Sequence, residues 1–265
     1  FADLVIWKNA KKCFLVNPNR GLMKKVKKFN NFVDVITDGD RNIFLEIIKT
    51  IRIHQWVKNL LIFIPTILSL QPSFNSFENL IGGFFAFSFV ASAFYILNDL
   101  FDIENDRAHT SKKNRSFASG YLSITHGFFI FVLLVSIALF MSIKLPQTFQ
   151  MLLFLYAATT FIYSKYLKKI PILDIMTLSS LYLLRIVSGG ALVGVYISNW
   201  LLTFSVFFFL FLASVKRWVE LNKIKSEVIY GRGYQSSDIQ FISNLSYFSG
   251  LISVLVICLY IESQQ

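Results

Sequence analysis

The stretch Asn79-Leu80-Ile81-Gly82-Gly83-Phe84-Phe85-Ala86-Phe87-Ser88-Phe89-Val90-Ala91-Ser92-Ala93-Phe94-Tyr95-Ile96-Leu97-Asn98-Asp99-Leu100 decides the fold. It carries no charge before Asp99, and at ~1.5 Å of rise per residue a helix of this length crosses ~30 Å of hydrocarbon. It is apolar on every side, as a helix surrounded by lipid and by other helices must be. Similar stretches recur at 57–71, 124–143, 148–165, 172–194, 198–217 and 240–260, which makes seven predicted spans. The first is short and holds Pro65, so a kink or partial insertion is expected there. The fold class that follows is all-α, a polytopic transmembrane helix bundle. A short non-membrane remnant over residues 1–45 precedes a membrane domain over 46–265.

The chain is 55% hydrophobic with 29 Phe, a content that a soluble bundle does not accommodate in such long runs. A net charge of +11 raises the question of nucleic acid, but its distribution answers otherwise. With the N-terminus inside, the cations ahead of the first span, from Lys8 to Arg52, lie on one face together with Lys58. The same face collects Arg107, Lys112, Lys113 and Arg115, then Lys165, Lys168 and Lys169, then Lys216, Arg217, Lys223, Lys225 and Arg232. Only Lys144 falls outside, which is the positive-inside pattern, so the partner is a lipid bilayer and the large loops are cytoplasmic. Cys13 and Cys258 show neither metal spacing nor a disulfide framework.

The first 45 residues are Lys-rich, with turn signals at Asn17-Pro18-Asn19 and Asp38-Gly39-Asp40. Phe14-Leu15-Val16 reads as a short strand. Leu22 to Phe32 reads as a basic amphipathic helix, either on anionic headgroups or as the solvated face of a soluble domain. The chain starts in what reads as mid-domain sequence and ends just beyond an odd-numbered span, so both ends are expected to be truncated.

Between the second and third spans stands Asn98-Asp99-Leu100-Phe101-Asp102-Ile103-Glu104-Asn105-Asp106. On a continuous helix Asn98, Asp99, Asp102 and Asp106 occupy an arc of roughly 100° on one face. Carboxylates held together at a membrane helix end need a cation, and hard oxygen ligands select magnesium, which typically brings substrate phosphate with it. Calcium is the alternative ion. The plainer reading is an acidic helix end that pairs with Arg107, Lys112 and Arg115. Arg115 has the planar fork suited to phosphate, although the basic group also serves topology.

A second constellation runs from Tyr163-Ser164 through Lys168 and Pro171 to Asp174, which either functions or caps the next helix. Arg185, deep in the same span, is expected to face the bundle interior and an anion or carboxylate. The third is Lys216-Arg217-Trp218-Val219-Glu220, where Lys216 and Glu220 have the spacing of a surface ion pair. Ahead of the first span, Arg52, His54, Gln55, Trp56, Lys58 and Asn59 crowd the interface.

The run Asn98-Asp99-x-x-Asp102-x-x-x-Asp106 resembles the first aspartate-rich motif of the UbiA superfamily of intramembrane prenyltransferases, usually nine-helix bundles. The remaining motifs narrow the resemblance to the decaprenyl-phosphate phosphoribosyltransferase branch. They are His54-Gln55-Trp56-Val57-Lys58-Asn59, Tyr163-Ser164 with Lys168 and Asp174, Arg185 with Gly189-Gly190, and Lys216-Arg217 with Glu220-Leu221. That resemblance implies an Mg2+-dependent transferase in a bacterial inner membrane with its site facing the cytoplasm. The donor would be phosphoribosyl diphosphate and the acceptor a polyprenyl phosphate. By the same resemblance Asp99, Asp102 and Asp106 are catalytic and hold the metal with Asn98. Lys58, Arg115, Tyr163, Lys168, Asp174, Arg185, Lys216, Arg217 and Glu220 then bind the substrates, with the Lys and Arg side chains among them clamping phosphates.

The chain departs from aromatic prenyltransferases at their second aspartate motif, where it has Lys216, Arg217 and Glu220. Phe1 to Pro18 is similar to the closing segment of haloacid-dehalogenase-type phosphatases, with Asp3 at the final carboxylate. Two rival readings remain at this level. One is a prenyltransferase that moves a polyprenyl group from its diphosphate to a small acceptor, and the other is a transporter with an acidic cation site.

Overall fold

The fold comes from a computed structural model, which describes residues 4–16, 20–29, 31–36, 42–69, 74–109, 111–223 and 233–264. Asp3, the turns Asn17-Pro18-Asn19 and Asp38-Gly39-Asp40, and Lys225 and Arg232 of the second large loop lie outside these residues. The chain forms two compact units, Phe1–Ile47 and Ile48–Gln265.

In the first unit, α1 (Leu4–Asn9), β1 (Cys13–Val16), α2 (Arg20–Val26) and β2 (Phe32–Ile36) follow one another. The strands pair in parallel, with Phe14 opposite Asp34 and Val16 opposite Ile36. Cys13, Leu15 and Val26 form the core, with Trp7, Leu22 and Phe29 packed against it. Asn31 ties the end of α1 down by donating to Trp7 O at 2.7 Å and Ala10 O at 2.6 Å. The predicted strand is present, but the helix predicted over 22–32 stops at Val26. Beyond it Phe32 opens a strand, because the aromatic and β-branched residues Phe32, Val33, Val35 and Ile36 favour an extended chain over the helical reading.

Among the remaining described residues the main elements are helices: α3 (Ile43–Ile51), a 3-10 helix (Ile53–Phe63), α4 (Ile64–Ser69), α5 (Phe74–Phe101), α6 (Ile103–Ala108), α7 (Ile124–Ser142), α8 (Gln147–Lys165), α9 (Leu173–Val193), α10 (Asn199–Lys223) and α11 (Ile239–Glu262). Among the described residues, five stretches are long and apolar enough to cross a membrane: Phe77–Phe101, Ile124–Ser142, Leu173–Val193, Asn199–Asn222 and Ile239–Glu262. They coincide with five of the seven predicted spans. The span predicted over 148–165 is a helix of 19 residues whose apolar character is diluted by Gln150, Thr159, Thr160, Ser164 and Lys165. The span predicted over 57–71 is a 3-10 helix that passes at Ile64 into the short α4, which contains Pro65.

Helices α5 and α9 are the centre, since more than half of each apolar window is buried, against under a quarter for α7, α10 and α11. The outer helices turn Phe129, Phe140, Phe248 and Leu251 outward, as lipid-facing surfaces do. The core lies between α5, α8 and α9, where Phe87, Phe149, Tyr156 and Leu192 meet the 3-10 helix through Ile62. Gly189 makes that approach possible, for a Cβ there would stand 2.0 Å from the Ile62 carbonyl oxygen. Polar groups fasten the 3-10 helix to α5: Trp56 Nε1 donates to Ser92 Oγ at 2.9 Å, and Asn59 Nδ2 donates to Ser88 Oγ at 2.9 Å.

Candidate active site

The site forms where α5 ends. Its last turn carries Asn98 and Asp99, and Asp102 interrupts the helix with φ −100° and ψ 9° before α6 begins at Ile103. Backbone bonds step across the break, Asp102 N–H to Asn98 O at 3.0 Å and Asp106 N–H to Asp102 O at 2.7 Å. The four-residue step survives, but the changed torsion parts the side chains into two pairs.

In the first pair, Lys168 Nζ donates to Asn98 Oδ1 at 3.1 Å and to both carboxylate oxygens of Asp102 at 2.6 and 2.7 Å. In the second, one nitrogen of Arg115 lies 2.9 Å from Asp99 and 2.8 Å from Asp106. Arg52 adds bonds of 2.6 and 2.5 Å to the two oxygens of Asp99. The expectation of four side chains on one uninterrupted face is therefore corrected, because the helix does not continue through Asp102. Among the described residues no three His, Cys, Asp or Glu side chains converge to hold a metal by themselves. Oxygens of Asn98 and Asp102 do converge on one cation, the Lys168 ammonium. Magnesium asks for no more from a protein than one or two carboxylates, with water and phosphate completing its shell, so this donor set fits it.

These pairs border a cavity of ≈ 360 Å³ lined by Asn98, Asp102 and Asp106 on one side. Lys58, Arg115, Tyr163, Lys168, Arg185, Lys216 and Glu220 also line it, so most of the predicted substrate-binding residues are brought together. Asp99, Asp174 and Arg217 are absent from the lining and stand behind the wall, each at most 5% exposed. Seven Lys and Arg side chains face three carboxylates around the cavity.

Asp174 and Arg217 form an ion pair of 2.5 Å with both side chains fully buried. Tyr163 donates its hydroxyl to Asp174 at 2.8 Å, and Arg217 also pairs with Glu220 one turn along α10. Two side chains of the cavity wall, one from α8 and one from α10, are thereby braced from behind. The expected pairing of Glu220 thus includes Arg217, three residues away. Asp174 also sits in the first turn of α9, where its charge suits the helix dipole. Tyr234 closes the arrangement with its ring 5.3 Å from the Arg217 guanidinium. Burial first, and the Asp174 charge second, push the Tyr234 phenol above its ordinary value.

Arg185 is buried as expected, yet neutral groups hold it. It donates to Asn59 Oδ1 at 2.9 Å, Tyr156 OH at 3.0 Å and the Leu181 carbonyl. Rings of Phe87, Tyr156 and Tyr182 surround its guanidinium at 5.0 to 5.4 Å. Of the cations expected to pair with the acidic run, Arg107 meets its Glu104 at 3.3 Å on the surface.

Sequence reasoning missed the part played by Arg52 and by Tyr156 and Tyr182 of the cavity. Arg52 adopts a left-handed backbone, φ 57° and ψ 47°, at the junction of α3 and the 3-10 helix. A non-glycine residue in that region costs of order 1–3 kcal/mol and persists where the surroundings hold it. Here the hold comes from Asp99 and from the Tyr95 ring, 5.3 Å from the guanidinium. Its signal in the sequence was the cluster from Arg52 to Asn59. Tyr156 and Tyr182 lie on helices α8 and α9 at positions that read only as apolar.

Comparison with known proteins agrees with this architecture. Residues 60–260 match the model of the UbiA prenyltransferase family. The uncharacterized protein y4nM of Sinorhizobium fredii is 34% identical over 98% of this chain and 51% of its own length. A decaprenyl-phosphate phosphoribosyltransferase of Mycobacterium tuberculosis is 30% identical over 71% of this chain and 64% of its own length. The chain thus spans about half of the first relative and under two thirds of the second. A UbiA homolog from Archaeoglobus fulgidus, solved bound to GPP and Mg2+, superimposes with a TM-score of 0.66 at 15% identity, over 80% of this chain and 76% of that one. The chain belongs to the UbiA prenyltransferase family.

Proposed function

We propose that the protein is an Mg2+-dependent membrane transferase that moves a 5-phosphoribosyl group from phosphoribosyl diphosphate to a polyprenyl phosphate. The observation that carries this reading is the charge of the cavity, seven cations against three carboxylates. A ligand set with a diphosphate, a sugar phosphate and a lipid phosphate matches that excess better than a single prenyl diphosphate does. Similarity to decaprenyl-phosphate phosphoribosyltransferases supports the same choice. The distribution of Lys and Arg supports a cytoplasmic site in a bacterial inner membrane. Residues 1–45 are proposed to belong to a phosphatase-like domain, in line with the parallel strand pair β1 and β2.

In this mechanism Asp102 and Asn98 would hold magnesium, with Asp106 lining the same cavity. Bound there, the ion neutralises charge on the departing diphosphate. Lys168 and Arg115 stand beside these acids and receive phosphate oxygens. Lys58, Lys216 and Arg185, which line the same cavity, hold the remaining phosphate groups. The bond from the anomeric carbon to the diphosphate breaks, and a bond forms from that carbon to an oxygen of the acceptor phosphate. That oxygen is already ionised, so the wall supplies no strong base. Asp99, Asp174 and Arg217 act from behind it as positioning groups.

Steady-state kinetics of Lys216→Met and Lys58→Met test the assignment of the basic wall. Each is expected to raise KM for phosphoribosyl diphosphate by about tenfold, the scale of one charge-assisted hydrogen bond at 1.5–3 kcal/mol. An unchanged KM in both would remove the basic wall from donor binding.

A further inference from the structure

We propose that Lys168 is a positioning residue that makes magnesium and diphosphate bind as a coupled pair, because its ammonium holds the oxygens that the ion must take. This rests on the reading of Asp102 and Asn98 as metal ligands. The contact is unusually complete: Lys168 is 7% exposed, and its Nζ reaches three oxygens on these two residues within 3.1 Å. A divalent ion on these oxygens would stand close enough to the Lys168 ammonium for the two cations to repel and compete for Asp102. An ion arriving alone must therefore displace Lys168 from Asp102 within a cavity that already carries Lys58, Arg115 and Arg185. That is costly unless an anion receives the ammonium.

A diphosphate in the cavity is such an anion, and Lys168 lines that cavity. The exchange is a side-chain motion, because the backbone around Lys168 is held. Residues Leu167–Lys169 form a tight 3-10 turn, with Lys169 N–H bonded to Tyr166 O at 3.1 Å and Ile170 N–H to Leu167 O at 3.0 Å. From the other side Gly233 lies so close that a Cβ would stand 2.1 Å from the Lys169 carbonyl oxygen. With the turn fixed, only the four-carbon stem of Lys168 is left to carry the charge from Asp102 to a phosphate oxygen. The consequence is ordering: metal alone binds weakly, and metal with diphosphate binds tightly.

The test is Mn2+ binding to the full-length protein in lipid nanodiscs, read by electron paramagnetic resonance with and without inorganic pyrophosphate. Free Mn2+ and its pyrophosphate complex in solution serve as references. For the unaltered protein, pyrophosphate is expected to tighten Mn2+ binding roughly 5–150-fold, and Mn2+ to tighten pyrophosphate binding by the same factor. Lys168→Met is expected to bind Mn2+ alone at least about tenfold more tightly and to lose most of the coupling. Lys168→Arg, which keeps the charge, should retain weak binding of Mn2+ alone, and thermal melting confirms that each variant is folded. Asp102→Asn should lose Mn2+ binding in both conditions. If Asp102→Asn keeps its Mn2+, the metal-site reading itself fails. If Asp102→Asn loses Mn2+ while Lys168→Met binds Mn2+ alone no better than the unaltered protein, or if the unaltered protein shows no coupling, the role of Lys168 is overturned.

Discussion

Arg217 and Asp174 meet at 2.5 Å with neither side chain exposed at all. Their pair joins α9 to α10 behind the cavity, and it holds Tyr163 and Glu220 in the wall from opposite sides. A buried ion pair is a weak source of net stability, since desolvation offsets attraction, but removal of one member leaves the other charged and alone.

Arg217→Met is therefore expected to destabilise the protein by about 3–5 kcal/mol, and Asp174→Asn by a similar amount. The double replacement should cost less than the sum of the two. Thermal melting of the four proteins in detergent measures the cycle. Additive losses would show that the pair is not an energetic unit.

Tyr163→Phe removes one hydrogen bond to Asp174 and leaves the ring in place. The expected loss is about 0.5–1.5 kcal/mol in stability. A fall in the melting temperature larger than that of Asp174→Asn would contradict this reading.

Gly189→Ala places a methyl group 2.0 Å from the Ile62 carbonyl, a backbone atom that has no rotamer in which to retreat. Overpacking of this kind costs about 1–3 kcal/mol, and the 3-10 helix must shift away from α9. Gly82→Ala is the control, since its Cβ meets only Leu145 at 3.5 Å. It is expected to stabilise α5 by about 0.5–1 kcal/mol. Denaturation of the two variants side by side should move in opposite directions.

Asp99 and Asp102 are neighbours in the motif with different surroundings. Asp99 faces Arg52 and Arg115 behind the wall, whereas Asp102 faces the cavity with Lys168. Asp99→Asn is expected to lower kcat about 10–100-fold, as the loss of a supporting partner does, with little change in the Mg2+ concentration needed for half activity. Asp102→Asn should raise that concentration sharply. Magnesium titrations of activity separate the two, and identical curves would place both residues in the same role.

Much of the fold was legible because lipid imposes a simple demand, and five of the seven stretches, such as 79–100 and 240–260, needed only length and apolar content. The stretch 57–71 failed that rule because Trp56, Asn59 and Gly189 fix it by hydrogen bonds and close approach, which no hydropathy profile records. At the site, helical spacing brought Asn98 and Asp102 together correctly but hid the break at Asp102, a backbone torsion that sequence does not announce. Lys168 was legible as a nearby cation, yet its grip on Asp102 depends on a turn 66 residues away. Arg217 had the residue type of a phosphate clamp, and only the three-dimensional structure shows it buried against Asp174.

The most direct measurement is transfer of label from phosphoribosyl diphosphate to a polyprenyl phosphate by the full-length protein in lipid, with and without Mg2+. The account predicts a labelled lipid that forms only with Mg2+ and disappears in Asp102→Ala. Label moving instead from a prenyl diphosphate to an aromatic acceptor, with none moving from phosphoribosyl diphosphate, would contradict it.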